Sequence, residues 1–397
     1  MRRVLAVAAL AAAAAAIALP VRPQDARPVA ARAAAAPPLT VTTTLPAWRA
    51  PGARVAVAGF AGARERVRLL VDGRTLAATA SGRLGRYVLA FRAGAAGRHR
   101  LTVRAGSRTR AAGTLLVRPV VVDAVGDVTF GEQVGPAIAS RGAAYPWTFV
   151  AATLRSADIT TGNLETAVST RGVAAVKQYT FRGVPSALPP VHTLAGFDVL
   201  TLANNHTVDY GRDALLDTVR AVHAAGMQTI GAGANDALAR RPAIVEAGGL
   251  RVAFLGYSDV NPLGFPATAA EPGTARADVA AIAADVHAAL RRADVAVCFF
   301  HWGVELHPEP DSRQRTFAAA CLNAGARLVL GAHPHVLGPV SRPTPHALVA
   351  WTLGNFVFPS GGLTSRTAIL RVELDAAGVA AYRLLPVHID GFRPRPG

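Results

Sequence analysis

The spacing of apolar and polar positions changes character along the chain. Between residue 39 and about residue 118, short β-rich runs recur at 40–44, 54–58, 66–71, 86–91 and 99–103. Gly, Pro and Asp-Gly turns separate them, and Asp72-Gly73 reads as a hairpin turn. After Pro119 the pattern alternates. Apolar strand-like runs at 120–125, 157–161, 197–202, 251–256, 294–300 and 326–330 are interleaved with helical stripes at 213–225, 278–292 and 316–324. Strands alternating with helices predict an α/β domain. The runs at 348–353, 368–374 and 380–387 have no helices between them and predict antiparallel additions to the sheet.

The N-terminal runs predict a small β-sandwich over residues 39–118, similar to immunoglobulin-like modules, with no candidate chemistry of its own. The α/β domain is expected over residues 119–397. Residues 1–20 read as a signal peptide, a basic Arg2-Arg3 start followed by an apolar Ala-rich run. An uncleaved anchor is the second reading of that run. Residues 21–38 read as an Ala/Pro-rich linker. The expected localisation is therefore extracytoplasmic, secreted or associated with the cell envelope.

Composition changes this picture little. An apolar content of 51% and a charged content of 17% exclude a disordered chain. The net charge of +17 rests almost wholly on arginine, Lys177 being the sole lysine. Along the sequence the arginines look scattered, as codon bias in a GC-rich genome would leave them, so nucleic acid is not an expected partner. Affinity for an acidic polymer stays open. Cys298 and Cys321 are too few for a disulfide framework and read as core residues, with pairing left open.

The candidate chemistry sits at the ends of the strands. Asp127, Asn163 with Glu165, Asn205 with His206, His301 with Glu305, and His333 with His335 each follow a predicted strand. Open α/β sheets place their sites at that end. In an extended backbone the i, i+2 spacing of His333 and His335 would point both rings one way. Carboxylate, amide and imidazole donors suit divalent Mn, Fe or Zn, and the set is large enough for two ions. Two such ions bind both oxygens of a phosphate ester and acidify a bound water. His206 beside Asn205 is the candidate proton donor to a leaving group.

From Val121 to about Phe358 the chain resembles the bacterial capsule-synthesis CapA family, linked to poly-γ-glutamate biosynthesis and similar to calcineurin-like metallophosphoesterases. The residues that carry the resemblance are Gly126-Asp127-Val128-Thr129-Phe130-Gly131, Gly162-Asn163-Leu164-Glu165 and Ala203-Asn204-Asn205-His206-Thr207-Val208-Asp209-Tyr210-Gly211. His301-Trp302-Gly303-Val304-Glu305, Gly331-Ala332-His333-Pro334-His335-Val336 and Leu353-Gly354-Asn355-Phe356-Val357-Phe358 complete the set. The resemblance implies a four-layer αββα sandwich. It implies that Asp127 and His335 hold one metal, that Asn205, His301 and His333 hold a second, and that Glu165 lies at or near the bridging position. His206 would be the proton donor. The phosphoesterases carry Asp-x-His where this chain has Asp127-Val128-Thr129, and Asp where it has Glu165. Asn163, Asp209, Glu305 and Asn355 are expected to orient ligand side chains or meet substrate.

These readings lead to an exported metal-dependent hydrolase of the phosphoesterase type, engaged with a phosphoester or an anionic surface polymer. The alternative is a non-catalytic surface accessory protein that binds such a polymer or organises a membrane synthase.

Overall fold

The structure is a computed structural model and describes residues 37–397. The expected signal peptide, and all but the end of the expected linker, lie outside the described residues.

Two sheets, each a continuous apolar layer, stack face to face. The first runs in the order Gln228–Ile230, Val199–Thr201, Ile159–Leu164, Val120–Val128, Arg366–Asp375, Gly378–Asp390 and Arg393–Pro396. Its first four strands are parallel, and Arg366–Asp375 enters antiparallel beside Val120–Val128. The second runs Ala243–Ala247, Leu250–Ser258, Val295–His301, Leu328–Ala332, Ala347–Ala350 and Val340–Thr344. Its four middle strands are parallel.

Three buried clusters define the layers. Val122, Ala124, Val199 and Leu370 of the first sheet meet Val252, Phe254, Val297 and Leu330 of the second. On the outer side of the first sheet, Leu200 and Ile369 pack with Ile138, Val191, Leu215 and Val222, which lie on flanking helices. On the outer side of the second, Leu255, Ala296 and Val329 pack with Ile282, Val286, Phe317 and Cys321. The result is helix, sheet, sheet, helix. Each buried Val, Leu, Ile or Phe among them contributes about 1.5–3 kcal/mol. Both faces of the parallel strands are covered, so their sequences read as unbroken apolar runs.

Two expectations are corrected. The run expected at 348–353 as an antiparallel addition is the strand Ala347–Ala350, and it pairs parallel with Leu328–Ala332. The preceding edge strand Val340–Thr344 makes a short hairpin into it, and this turn sends it back along the parallel direction. The helix expected at 316–324 spans Ser312–Asn323. Asp311 accepts from Gln314 N, and the Gln314 side chain accepts from Asp311 N, a reciprocal cap that starts the helix one turn earlier. This helix also carries Cys321, which forms a disulfide with Cys298 on the strand beneath it.

Residues 40–117 fold into two further sheets of three and five strands around a common core that includes Val57, Val67, Leu69, Leu89, Leu101 and Leu115. The Asp72-Gly73 hairpin is present, with both residues at positive φ, 50° and 83°. This part is docked onto the α/β part. Ala50 and Ala53 join the core between the two large sheets, and Arg118 pairs with Asp158 through two hydrogen bonds of 2.6 and 2.7 Å.

Candidate metal centre

The parallel strands of both sheets end at one place, and their C-terminal residues bring the donors together. Asp127 is the penultimate residue of Val120–Val128. The strand that carries it passes so close to Gly354 that a Cβ on Gly126 would lie 1.8 Å from the Gly354 carbonyl oxygen. Only glycine fits there, and the approach sets Asp127 beside Asn355 in register. Glu165 follows Ile159–Leu164, and His301 closes Val295–His301.

His333 and His335 follow Leu328–Ala332 in a turn, not in an extended strand. His333 has φ 97° and His335 φ 59°, a backbone conformation that costs a non-glycine residue energy and concentrates at functional sites. The expected reason for their convergence is thereby corrected. A left-handed turn, not strand alternation, holds the two rings 5.9 Å apart by centroid.

Two donor groups drawn from strand-end residues share Glu165, and a third joins the exposed Glu305 to His333 and His335. Asp127, Glu165 and His335 each offer a ligand atom within 4.8 Å of the others, and so do Glu165, His301 and His333. Asn205 adds its Oδ1, which accepts from His301 Nε2 at 2.8 Å. Glu165 is fully buried, yet neither carboxylate oxygen accepts a hydrogen bond. His333 Nδ1 is likewise buried without a partner. A buried carboxylate without donors is costly unless a cation stands by it, so these residues fit a divalent metal and leave donors aimed where one would be held.

The electrostatics agree. Burial pushes Glu165 well above the usual carboxylate range, and the Asp127 charge pushes the same way. Burial lowers His301 far below an ordinary histidine, with His333 adding to the effect. Burial and His335 bring His333 down to about 4. Burial also works against a charged His335, but its hydrogen bond to Asp127 and the nearby carboxylates prevail and raise it to about 10.

Around this centre other side chains fix the donors. Asn163 donates from Nδ2 to Asp127 Oδ1 at 2.7 Å and stands 3.2 Å from His301 Nδ1. Asn355 Oδ1 accepts from His335 Nδ1 at 2.8 Å. Asp209 holds His206, not a candidate ligand histidine, with Oδ2 2.7 Å from His206 Nδ1. His206 stacks on Phe181 with centroids 4.0 Å apart and points Nε2 to within 3.9 Å of Glu165. Glu305 is exposed, with its carboxylate within 4.8 Å of a ring nitrogen of both His333 and His335.

Two residues here were missed in the sequence. Lys177 sets Nζ 2.6 Å from Asp209 Oδ1 and donates to the Asn205 carbonyl at 2.6 Å. Its signal was its uniqueness as the only lysine. Asn204 donates to Asn163 Oδ1 at 2.9 Å and to the Leu164 carbonyl at 2.8 Å, while its own Oδ1 accepts from His206 N and Thr207 N. It ties the loop after Leu202 to the loop after Leu164.

A four-layer α/β protein with a cluster of carboxylate and imidazole donors at its strand ends, able to hold divalent metal, is the class these features define. The chain belongs to the family described as bacterial capsule synthesis protein PGA_cap, which it matches over residues 121–360. It is similar to the PGA biosynthesis protein CapA of Bacillus subtilis, with 30% identity over 68% of this chain and 72% of that one. It is also similar to the capsule biosynthesis protein CapA of Bacillus anthracis, with 31% identity over 68% of each chain. Among solved structures it is similar to a phosphatase of Mycoplasma pneumoniae, with 15% identity, 68% of this chain and 94% of that chain covered, and a TM-score of 0.43. The calcineurin-like phosphoesterase YfkN of Bacillus subtilis gives 13% identity, 68% and 89% coverage and a TM-score of 0.39.

Proposed function

We propose that this protein is a metal-dependent hydrolase of the phosphoesterase type that acts outside the cytoplasm in the formation or release of an anionic surface polymer. The observation that carries the reading is Glu165, a buried carboxylate without hydrogen-bond donors that is common to both donor groups. Asp127, Glu165 and His335 would hold one divalent ion, and Glu165, Asn205, His301 and His333 a second. Such ions supply Lewis acidity toward an anionic ester and lower the pKa of water.

The chain's own residues supply the rest. Asp209 fixes the ring of His206 through Nδ1, which leaves Nε2 facing the centre. A neutral His206, lowered by burial, takes up and returns a proton at that nitrogen. Asn163 and Asn355 keep Asp127 and His335 in place. Export through residues 1–20 and an immunoglobulin-like module at 39–118 belong to the same proposal. The Cys298–Cys321 disulfide supports an oxidising compartment.

The test is hydrolysis of a panel of phosphomonoesters and phosphodiesters by protein loaded with Mn²⁺ or Zn²⁺, against chelated protein and His206→Asn. Turnover that needs the metal and falls about 10²-fold or more in His206→Asn supports the reading. Metal-loaded protein with no turnover on any ester contradicts it.

One observation favours the non-catalytic alternative. Thr129 stands where the phosphoesterases carry a histidine, and its Oγ1 accepts from Gly131 N at 3.1 Å, so it lends no imidazole to the first donor group. Under that reading the protein binds the metal and an anionic polymer without turnover.

A further inference from the structure

The positive charge of the chain is segregated. Residues 39–118 carry 15 arginines against only Glu65 and Asp72, a net +13. Residues 119–397 carry 22 basic and 22 acidic side chains and are neutral. A codon preference acts on both parts alike, so it does not explain the difference. The arginines that look scattered along the sequence are gathered in the fold.

The strands Arg66–Val71 and Gly97–Ala105 lie side by side and antiparallel, with Arg68 directly opposite Arg104. Val67, Leu69, Leu101, Val103 and Ala105 turn into the core. Strand alternation therefore puts Arg66, Arg68, Arg98, Arg100 and Arg104 on the outer face, and all five are exposed. None of the five forms an ion pair among the described residues. Like charges facing each other across a strand pair cost stability, so folding alone does not account for this face. A shallow groove of about 620 Å³ occupies one side of it, lined by Arg98, Arg100, Thr102 and Thr114 together with Asp72 and Gly73. Asp72 is already engaged, accepting from Arg100 N at 2.9 Å and facing His99 Nδ1 at 2.7 Å.

We propose that this arginine face of the N-terminal β-sheet binds a flexible polycarboxylate, an acidic polypeptide laid along the groove. Guanidinium forks match carboxylates with two parallel hydrogen bonds. Arginines two apart on a strand stand about 7 Å apart, a spacing that successive carboxylates of a flexible acidic chain can meet. No aromatic side chain lines the groove, so the stacking platform that single-stranded nucleic acid uses is missing there. The choice of an acidic polypeptide rests on the proposed role at an anionic polymer; the arginine face itself is independent of the metal centre.

The test is fluorescence anisotropy of labelled polyglutamate of defined length with the full chain, at several salt concentrations and with chelator present. The variant Arg68→Gln/Arg98→Gln/Arg100→Gln should lose about tenfold in affinity at low salt and show a shallower salt dependence. The variant Arg54→Gln/Arg86→Gln/Arg92→Gln removes as many charges from the other sheet and should bind nearly as wild type does. An equal loss in both variants would overturn the assignment to this face. Tighter binding of duplex DNA, or of phosphatidylglycerol vesicles, through the same arginines would overturn the polycarboxylate. Glu165→Gln and chelator should leave polymer affinity unchanged while removing hydrolysis, so failure here is distinct from failure of the hydrolase reading. Thermal melting of each variant checks that it is folded.

Discussion

His335 Nδ1 lies 3.3 Å from Asp127 Oδ2, and this contact favours the protonated imidazole. His335 is raised to about 10, so it holds a proton near neutral pH, and burial with the Asp127 charge pushes Glu165 upward as well. A cation bound by Asp127, Glu165 and His335 needs a neutral imidazole and an ionised carboxylate. Metal binding at pH 7.5 should therefore release protons, and apparent affinity should rise as pH rises toward about 10. Calorimetry in buffers of different ionisation heat measures the release. A binding heat independent of buffer would contradict it.

The amide of Asn355 sets the ring of His335 through a 2.8 Å hydrogen bond. Asn355→Ala should weaken metal affinity by about 10–100-fold, the usual effect of losing a partner that orients a ligand. Asn355→Asp should retain more affinity than Ala, because a carboxylate oxygen can take the same hydrogen bond. Competition with a fluorescent chelator reads both variants.

The disulfide joins the strand Val295–His301 to the helix packed on it across 23 residues of sequence. Closing a loop of this size contributes about 3 kcal/mol. Cys298→Ala/Cys321→Ala should melt at lower temperature, with metal content unchanged because neither sulfur reaches the centre. Equal melting of the variant and the wild type would contradict this.

Arg371 reaches across from Arg366–Asp375 and donates to both oxygens of the fully buried Asp123 at 2.7 and 2.6 Å. Arg371→Ala leaves that carboxylate buried and unpaired and should cost about 3–5 kcal/mol. Arg371→Lys should recover part of the loss. Urea unfolding midpoints compare the three proteins.

Much of the fold was legible because covered parallel strands need unbroken apolar runs, and these stand out against the helical stripes. The strand-end clusters were legible for the same reason, since a parallel sheet delivers all its C-terminal residues to one edge. Asp127, Glu165, His301, His333 and His335 do meet there. The path by which they meet was not legible in every case. The left-handed turn at His333 and His335 depends on the packing of the loop against Asp127 and Asn355. Lys177 sits in a stretch with no period, and only the tertiary fold brings it to Asp209. The Cys298–Cys321 pair depends on how one helix settles on one strand, which spacing alone does not specify. The early start of the helix at Ser312 was written in the Asp311-x-x-Gln314 cap. The charge segregation was present in the sequence and appears only when the chain is counted part by part.

Elemental analysis of protein purified without chelator, wild type beside Glu165→Gln, tests the central claim most directly. One carboxylate common to both donor groups predicts about two transition-metal ions per chain in the wild type and a loss at both positions in the variant. Metal retained in full by Glu165→Gln, or none taken up by the wild type after incubation with Mn²⁺ or Zn²⁺, would contradict it.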